Sequence, residues 1–301
     1  MNKYAFMYLR RDNFQWRNVK PLVSLKLANV LKEFRSFEST SKPPLMIFGC
    51  ARSGTTTLKE ILSGHKDIAS MPFEANQLWH PKLYPWRNCD LQVPPIWSEP
   101  FVFTEASNQT RTERDIQVIR STLGAFEFLN NRNTVLLKSA MVAFMIPQLL
   151  EIVPNMKLVH LHRDGRAVAL SLAKKQWKEA QKHEAIYRAK GYWMEFDELL
   201  VRMAQHWVEH IEEIQRQDSQ LGLTAKGLML TVSYEKFCED PKSLATQIAR
   251  FAALDEFSFD ETRYAEVKAT NYKFQAELSV EQLGKISTIM ESTLKKLGYA
   301  V

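Results

Sequence analysis

From about residue 44 onward, short apolar runs alternate with longer segments whose apolar positions repeat at helical spacing. The runs at 45–49, 134–138, 157–162 and 228–232 predict buried strands. Between them the spacing predicts helices near 55–64, 113–131, 142–152, 166–182, 194–217 and 241–253. A last helix is predicted near 279–297, with Ser279 as N-cap and Gly298 as stop. Short buried strands alternating with helices imply a mostly parallel central sheet covered on both faces. The expected architecture is an α/β three-layer sandwich over residues 44–301.

Two stretches depart from this rhythm. Residues 79–100 carry Pro81, Pro85, Pro94, Pro95 and Pro100 with Trp79, Tyr84, Trp86 and Trp97. This insertion is either a flap packed by its own aromatics or part of a substrate pocket. Before residue 44, Val23, Leu27, Val30, Phe34 and Phe37 form one stripe of an amphipathic helix. That leader either docks on its own domain or meets a membrane surface or a partner.

Composition narrows the class. The 301 residues are 45% hydrophobic and 25% charged, which excludes a disordered chain and a membrane bundle. No apolar run reaches the ~18 residues of a membrane-spanning helix. The start of the chain has neither the charge order nor the cleavage site of a signal peptide. Cys50, Cys89 and Cys238 lie far apart, without a CxxC pair, which suits a reducing compartment such as the cytoplasm. The net charge of +6 resides wholly in residues 1–43, where nine Lys/Arg face three acids. The remainder balances 31 bases against 31 acids. A neutral body lacks the basic stripe of a nucleic-acid-binding face.

The strongest local signal is Gly49-Cys50-Ala51-Arg52-Ser53-Gly54-Thr55-Thr56, between a strand and a helix. Set against the phosphate loop GxxxxGK[ST], both glycines and the final hydroxyl are present, but Thr55 stands at the Lys position. Backbone N–H groups and the helix N-terminus can still cradle an anion, with Arg52 as a cation within the loop. A kinase or ATPase also needs an acidic Mg²⁺ ligand after a second strand. Here Arg163 comes first, before Asp164. Nucleotide binding without the loop Lys or that metal ligand fits transfer of a group less charged than phosphoryl, and sulfuryl satisfies this. Arg163 and Ser171, about two turns into the following helix, could grip a second phosphate. Read alone, they could equally form a surface turn with a solvated Ser.

Taken together, the two elements resemble the PAPS-dependent sulfotransferases, in the bacterial and tyrosylprotein branch (PAPS is 3′-phosphoadenosine 5′-phosphosulfate). Arg52-Ser53-Gly54-Thr55-Thr56 matches the 5′-phosphosulfate loop, and Arg163 followed by Ser171 matches the 3′-phosphate motif. The resemblance runs from about 45 to 297, with 75–130 unmatched. It implies a P-loop NTPase-like sulfotransferase fold and in-line displacement at sulfur. A hydroxyl acceptor attacks and adenosine 3′,5′-bisphosphate leaves, with no metal required. The acceptor class stays open between a small molecule, a glycan and a peptide. The alternatives are a kinase-like phosphotransferase and a nucleotide-binding module without catalysis.

The resemblance also implies roles for single residues. Thr57 extends the loop's contact with the cosubstrate. Glu74 is the counterpart of the branch's base, one residue further from Arg52, and a local cap is the other reading. Lys138, at a strand end, is the counterpart of a catalytic Lys. Tyr234, in Ser233-Tyr234-Glu235-Lys236-Phe237, falls where a Tyr touches adenine, or is a core aromatic. Lys273 and Phe274 fall where a basic-aromatic pair closes over the 3′-phosphate and adenine, although the usual Arg and Trp are replaced. His160 and His162 point to one face of a strand, near the core. His206 and His210 have helix-face spacing but lack the HExxH order of a zinc site. Trp177, Tyr187, Tyr192, Trp193 and Phe196 either line an acceptor pocket or pack helices.

Overall fold

The computed structural model describes residues 19–34, 37, 40–72, 74, 75, 78, 94–101 and 112–301. The expectations on 79–93, Cys89 among them, lie outside these residues. In chain order the helices are α1 (Val19–Phe34), α2 (Thr55–Leu62), α3 (Glu113–Asn130), α4 (Ile146–Ile152), α5 (Gly165–Lys182) and α6 (Glu184–Ala189). They continue with α7 (Phe196–Leu221), α8 (Tyr234–Glu239), α9 (Pro241–Phe251), α10 (Lys273–Glu277) and α11 (Val280–Lys296). The strands are β1 (Leu45–Phe48), β2 (Ile68–Ser70), β3 (Thr134–Lys138), β4 (Lys157–His162) and β5 (Met229–Ser233).

All strand pairs are parallel, in the order β2-β3-β1-β4-β5. Alternate side chains of β1 serve opposite faces. Met46 and Phe48 join a cluster with Ile119, Leu123 and Ile146, while Leu45 and Ile47 join Leu58, Ile61 and Ile248. This two-sided burial produces the expected three layers. From β1 the chain builds one half of the sheet, then crosses back to β4 on the other side. The crevice between the β1 and β4 ends is a topological switch point, the usual ligand position in open parallel sheets.

The four predicted strands form, and β2 is a fifth. Its three residues are too short for a periodic signal. The helix expected over 142–152 is broken into a 3₁₀ turn (Ala140–Phe144) and α4. Pro147 lacks an N–H and sits in the first turn of α4, so the helix restarts there. Ser279 caps α11 through a capping box with Gln282, and Gly298 follows its end at φ 82°.

In α1 the apolar stripe faces outward: Val23, Leu27 and Val30 are 51%, 52% and 56% exposed. The helix packs on α3 and buries Ser24, Leu25 and Ala28 instead. Periodicity marks a face but not its partner, and small side chains allow close approach of two helices. Phe37, the last of the stripe, is buried beside Phe128, with ring centroids 5.8 Å apart.

Candidate active site

The backbone of the loop after β1 turns tightly at two glycines. Gly54 has φ 92°, and a Cβ there would lie 2.5 Å from the Tyr234 ring. A Cβ on Gly49 would lie 2.2 Å from the Leu161 carbonyl oxygen. Both positions therefore require glycine. Gly54 is the N-cap of α2 and makes no side-chain cap hydrogen bond. The first N–H groups of α2 thus receive no side-chain acceptor from the cap residue, which leaves them available to an anion. Ser53 Oγ is buried without a hydrogen-bond partner.

Arg52 and Arg163 join this loop to the β4 end. Arg52, at φ 77°, donates from Nε to Ser171 Oγ at 2.9 Å. Arg163 Nη1 donates to the Arg52 carbonyl oxygen at 3.0 Å. Its Nη2 donates to Thr270 Oγ1 at 3.0 Å and its Nε to Asn271 Oδ1 at 2.5 Å. The guanidinium also stacks 4.3 Å above the Tyr234 ring. Burial pulls Arg163 below its ordinary value, with Tyr234 and Glu235 opposing.

These groups border one cavity of about 570 Å³. Arg52, Gly54, Thr55, Thr56 and Thr57 form one wall. Arg163, Ser171 and Tyr234 form another, and Lys273 and Phe274 close it from α10. Ser53 is buried beneath the loop rather than on the cavity. The cavity also takes in Lys174, Lys268 and Thr270, which sequence reasoning missed. Lys174 pairs with Glu277, also on the wall. Clustered amides, hydroxyls and cations beside two aromatic rings can hold an anionic ligand that carries an aromatic ring.

Glu74 and Lys138 meet at the neighbouring strand end, outside this lining. Ala75 N–H donates to the Lys138 carbonyl at 2.8 Å, which lays residues 74 and 75 along the end of β3. Lys138 Nζ forms an ion pair with Glu74 Oε1. Lys138 stands in register with Ile47 of β1, two residues before Gly49. The pair and the phosphate loop therefore share the carboxyl edge of adjacent strands.

The remaining candidates fall mainly in the core. His160 and His162 are buried, and burial lowers the basicity of both. His206 and His210 pack against Phe144, with burial pushing them down to about 3 and about 4. Trp177 packs on Trp193 and Phe196 at 5.3 and 6.2 Å between ring centroids. Trp97, from the described end of the insertion, is buried in the same cluster, together with Cys50 of the phosphate loop.

A family model described as "Sulfotransferase family" matches residues 43–258. Omega-hydroxy-beta-dihydromenaquinone-9 sulfotransferase Stf3, from Mycobacterium bovis and Mycobacterium tuberculosis, is 24% identical over 302 residues. The match covers 85% of this chain and 75% of that one. Among solved structures, sulfotransferase STF9 from Mycobacterium avium superposes with a TM-score of 0.59 at 13% identity, covering 93% of this chain and 84% of that one. The sulfotransferase domain of the Synechococcus PCC 7002 olefin synthase gives 0.50 at 17%, covering 89% and 99%. At such identities the structural likeness is one of fold.

Proposed function

The chain belongs to the sulfotransferase family, and we propose on that premise that it moves a sulfuryl group from PAPS to a hydroxyl acceptor. One observation carries the reading: Arg52, Ser171 and Arg163 are linked around a single cavity at the switch point. In the proposal, the α2 amides, Arg52 and Thr55–Thr57 hold the 5′-phosphosulfate. Arg163, Ser171 and Lys273 hold the 3′-phosphate, and Tyr234 and Phe274 flank the adenine. The acceptor oxygen bonds to sulfur as the sulfur–phosphate oxygen bond breaks, releasing adenosine 3′,5′-bisphosphate. Glu74 takes the acceptor proton and Lys138 stabilises charge on the sulfuryl and leaving oxygens. No step is assigned to a metal ion.

The mycobacterial relatives are named for a hydroxylated menaquinone, which makes a lipid alcohol the first acceptor to test. We place the protein in the cytoplasm, with α1 touching anionic lipid surfaces. Its outward row of Val23, Leu27 and Val30 lies beside exposed Lys26, in a leader with nine Lys/Arg against three acids. Calorimetry with adenosine 3′,5′-bisphosphate and a labelled-PAPS transfer assay test the central reading. Absence of both binding and transfer overturns it.

A further inference from the structure

Arg163 is held in an unusual way for a buried cation. It is 7% exposed, yet no described carboxylate makes an ion pair with it. Its donors go to the Arg52 carbonyl, the Thr270 hydroxyl and the Asn271 amide oxygen, all neutral acceptors. A carboxylate in direct contact would compete with an incoming phosphate for the same donors. An intervening amide transmits direction without occupying the charge.

The carboxylate stands one step further back. Asn271 Nδ2 donates to Glu235 Oε1, which also receives the Asp164 N–H at 3.1 Å. Glu235 Oε2 receives Ser233 Oγ at 2.9 Å and Tyr299 Oη at 2.8 Å. A carboxylate has about four acceptor positions, and all are filled. The four donors come from the end of β5, the start of α5, the segment before α10 and the segment after α11. Burial pushes the Glu235 carboxyl up, but its hydrogen bonds outweigh burial and hold it below its ordinary value. Tyr299 has one proton and gives it to Glu235, so the 2.9 Å contact with His162 Nδ1 requires that nitrogen to donate.

We propose that Glu235 is a positioning residue that aims the Arg163 guanidinium at the 3′-phosphate, acting through Asn271 and braced by Tyr299. This rests on the reading of Arg163 as the 3′-phosphate anchor. The consequence is selectivity: the relay reaches Arg163 through Nε, apart from the Nη1 bond to the Arg52 carbonyl, so it bears mainly on recognition of the 3′-phosphate.

The test compares adenosine 3′,5′-bisphosphate with adenosine 5′-phosphate, which lacks the 3′ group, by calorimetry on the full chain. The variants are Glu235→Gln, Asn271→Ala, Tyr299→Phe and Arg163→Ala, each checked by thermal melting. Glu235→Gln and Asn271→Ala are expected to lower bisphosphate affinity about tenfold while monophosphate affinity stays within about twofold. Tyr299→Phe removes one brace and is expected to lose about threefold, again on the bisphosphate only. It removes a single oxygen, so it reports on the relay even if Glu235→Gln fails to fold. Equal losses on both nucleotides, or no loss on either, would make Glu235 a structural anchor and overturn the proposal. If the wild type does not prefer the bisphosphate, or Arg163→Ala keeps that preference, the 3′-phosphate reading fails and the relay falls with it.

Discussion

Lys138 and Glu74 are joined across the carboxyl end of β3, one buried and one half-exposed. The ammonium comes from the strand and the carboxylate from the segment laid beside it. In the proposed roles of base and charge stabiliser, the pair would separate chemistry from nucleotide binding. Glu74→Gln should lower kcat by about 10²–10⁴ and leave adenosine 3′,5′-bisphosphate affinity within about twofold. Steady-state kinetics and calorimetry check this. A parallel loss of affinity would make Glu74 a structural residue.

Arg163→Ala should behave in the opposite sense. In the proposed role of Arg163, the change would remove charge-assisted hydrogen bonds to the 3′-phosphate worth about 1.5–3 kcal/mol each, so bisphosphate affinity should fall at least tenfold, by about 10–150-fold per bond. Comparing dissociation constants for Arg163→Ala and Glu74→Gln in one buffer decides the order.

Gly54→Ala should damage the loop directly. The new Cβ would lie 2.5 Å from the Tyr234 ring at φ 92°. Strain of this kind is about 1–3 kcal/mol. A lower Tm together with weaker bisphosphate binding is expected, and an unchanged Tm would contradict the packing.

Acid should destabilise the fold through its buried histidines. His206 is pushed down to about 3 by burial, with His210 and Arg202 adding to it. His210 is pushed down to about 4 by burial, opposed by its hydrogen bond to the Ala140 carbonyl. Unfolded, each binds a proton near the ordinary 6.5. The unfolded chain therefore holds more protons below that point, and acid favours it. Their contribution is whole above about 6.5 and declines as pH falls toward about 4. Urea unfolding at about pH 7 and about pH 5 should show the drop, with a smaller drop in His206→Gln.

Replacing Val23, Leu27 and Val30 by Ser should weaken co-sedimentation with phosphatidylglycerol vesicles about tenfold. Far-UV circular dichroism should stay unchanged, because the three side chains face solvent. Retained binding would move the lipid contact elsewhere.

The fold was largely legible because parallel strands buried on both faces leave apolar runs, as in Leu45–Phe48 of β1 and Val135–Leu137 of β3. β2 was not, since three residues carry no period. In the candidate site, the strand-adjacent loop and Arg163 stood out because glycines and cations at strand ends break the apolar pattern. Asn271 and Thr270 did not, since their importance arises from a contact with a residue 107 or 108 positions away. The face of α1 escaped for another reason: its buried side is made of Ser24, Leu25 and Ala28, a weaker apolar signal than the exposed one.

The packing of α1 bears on how this protein can be shortened. The family match begins at residue 43, but Leu25, Ala28 and Phe37 share a buried cluster with Met46, Ile119 and Leu123. Upstream of that point, the Ser41 N–H meets both carboxylate oxygens of buried Glu127, at 3.0 and 2.8 Å. A chain cut at 43 would bare an oily groove along α3 and strand a carboxylate in it, a recipe for aggregation rather than a minimal autonomous unit.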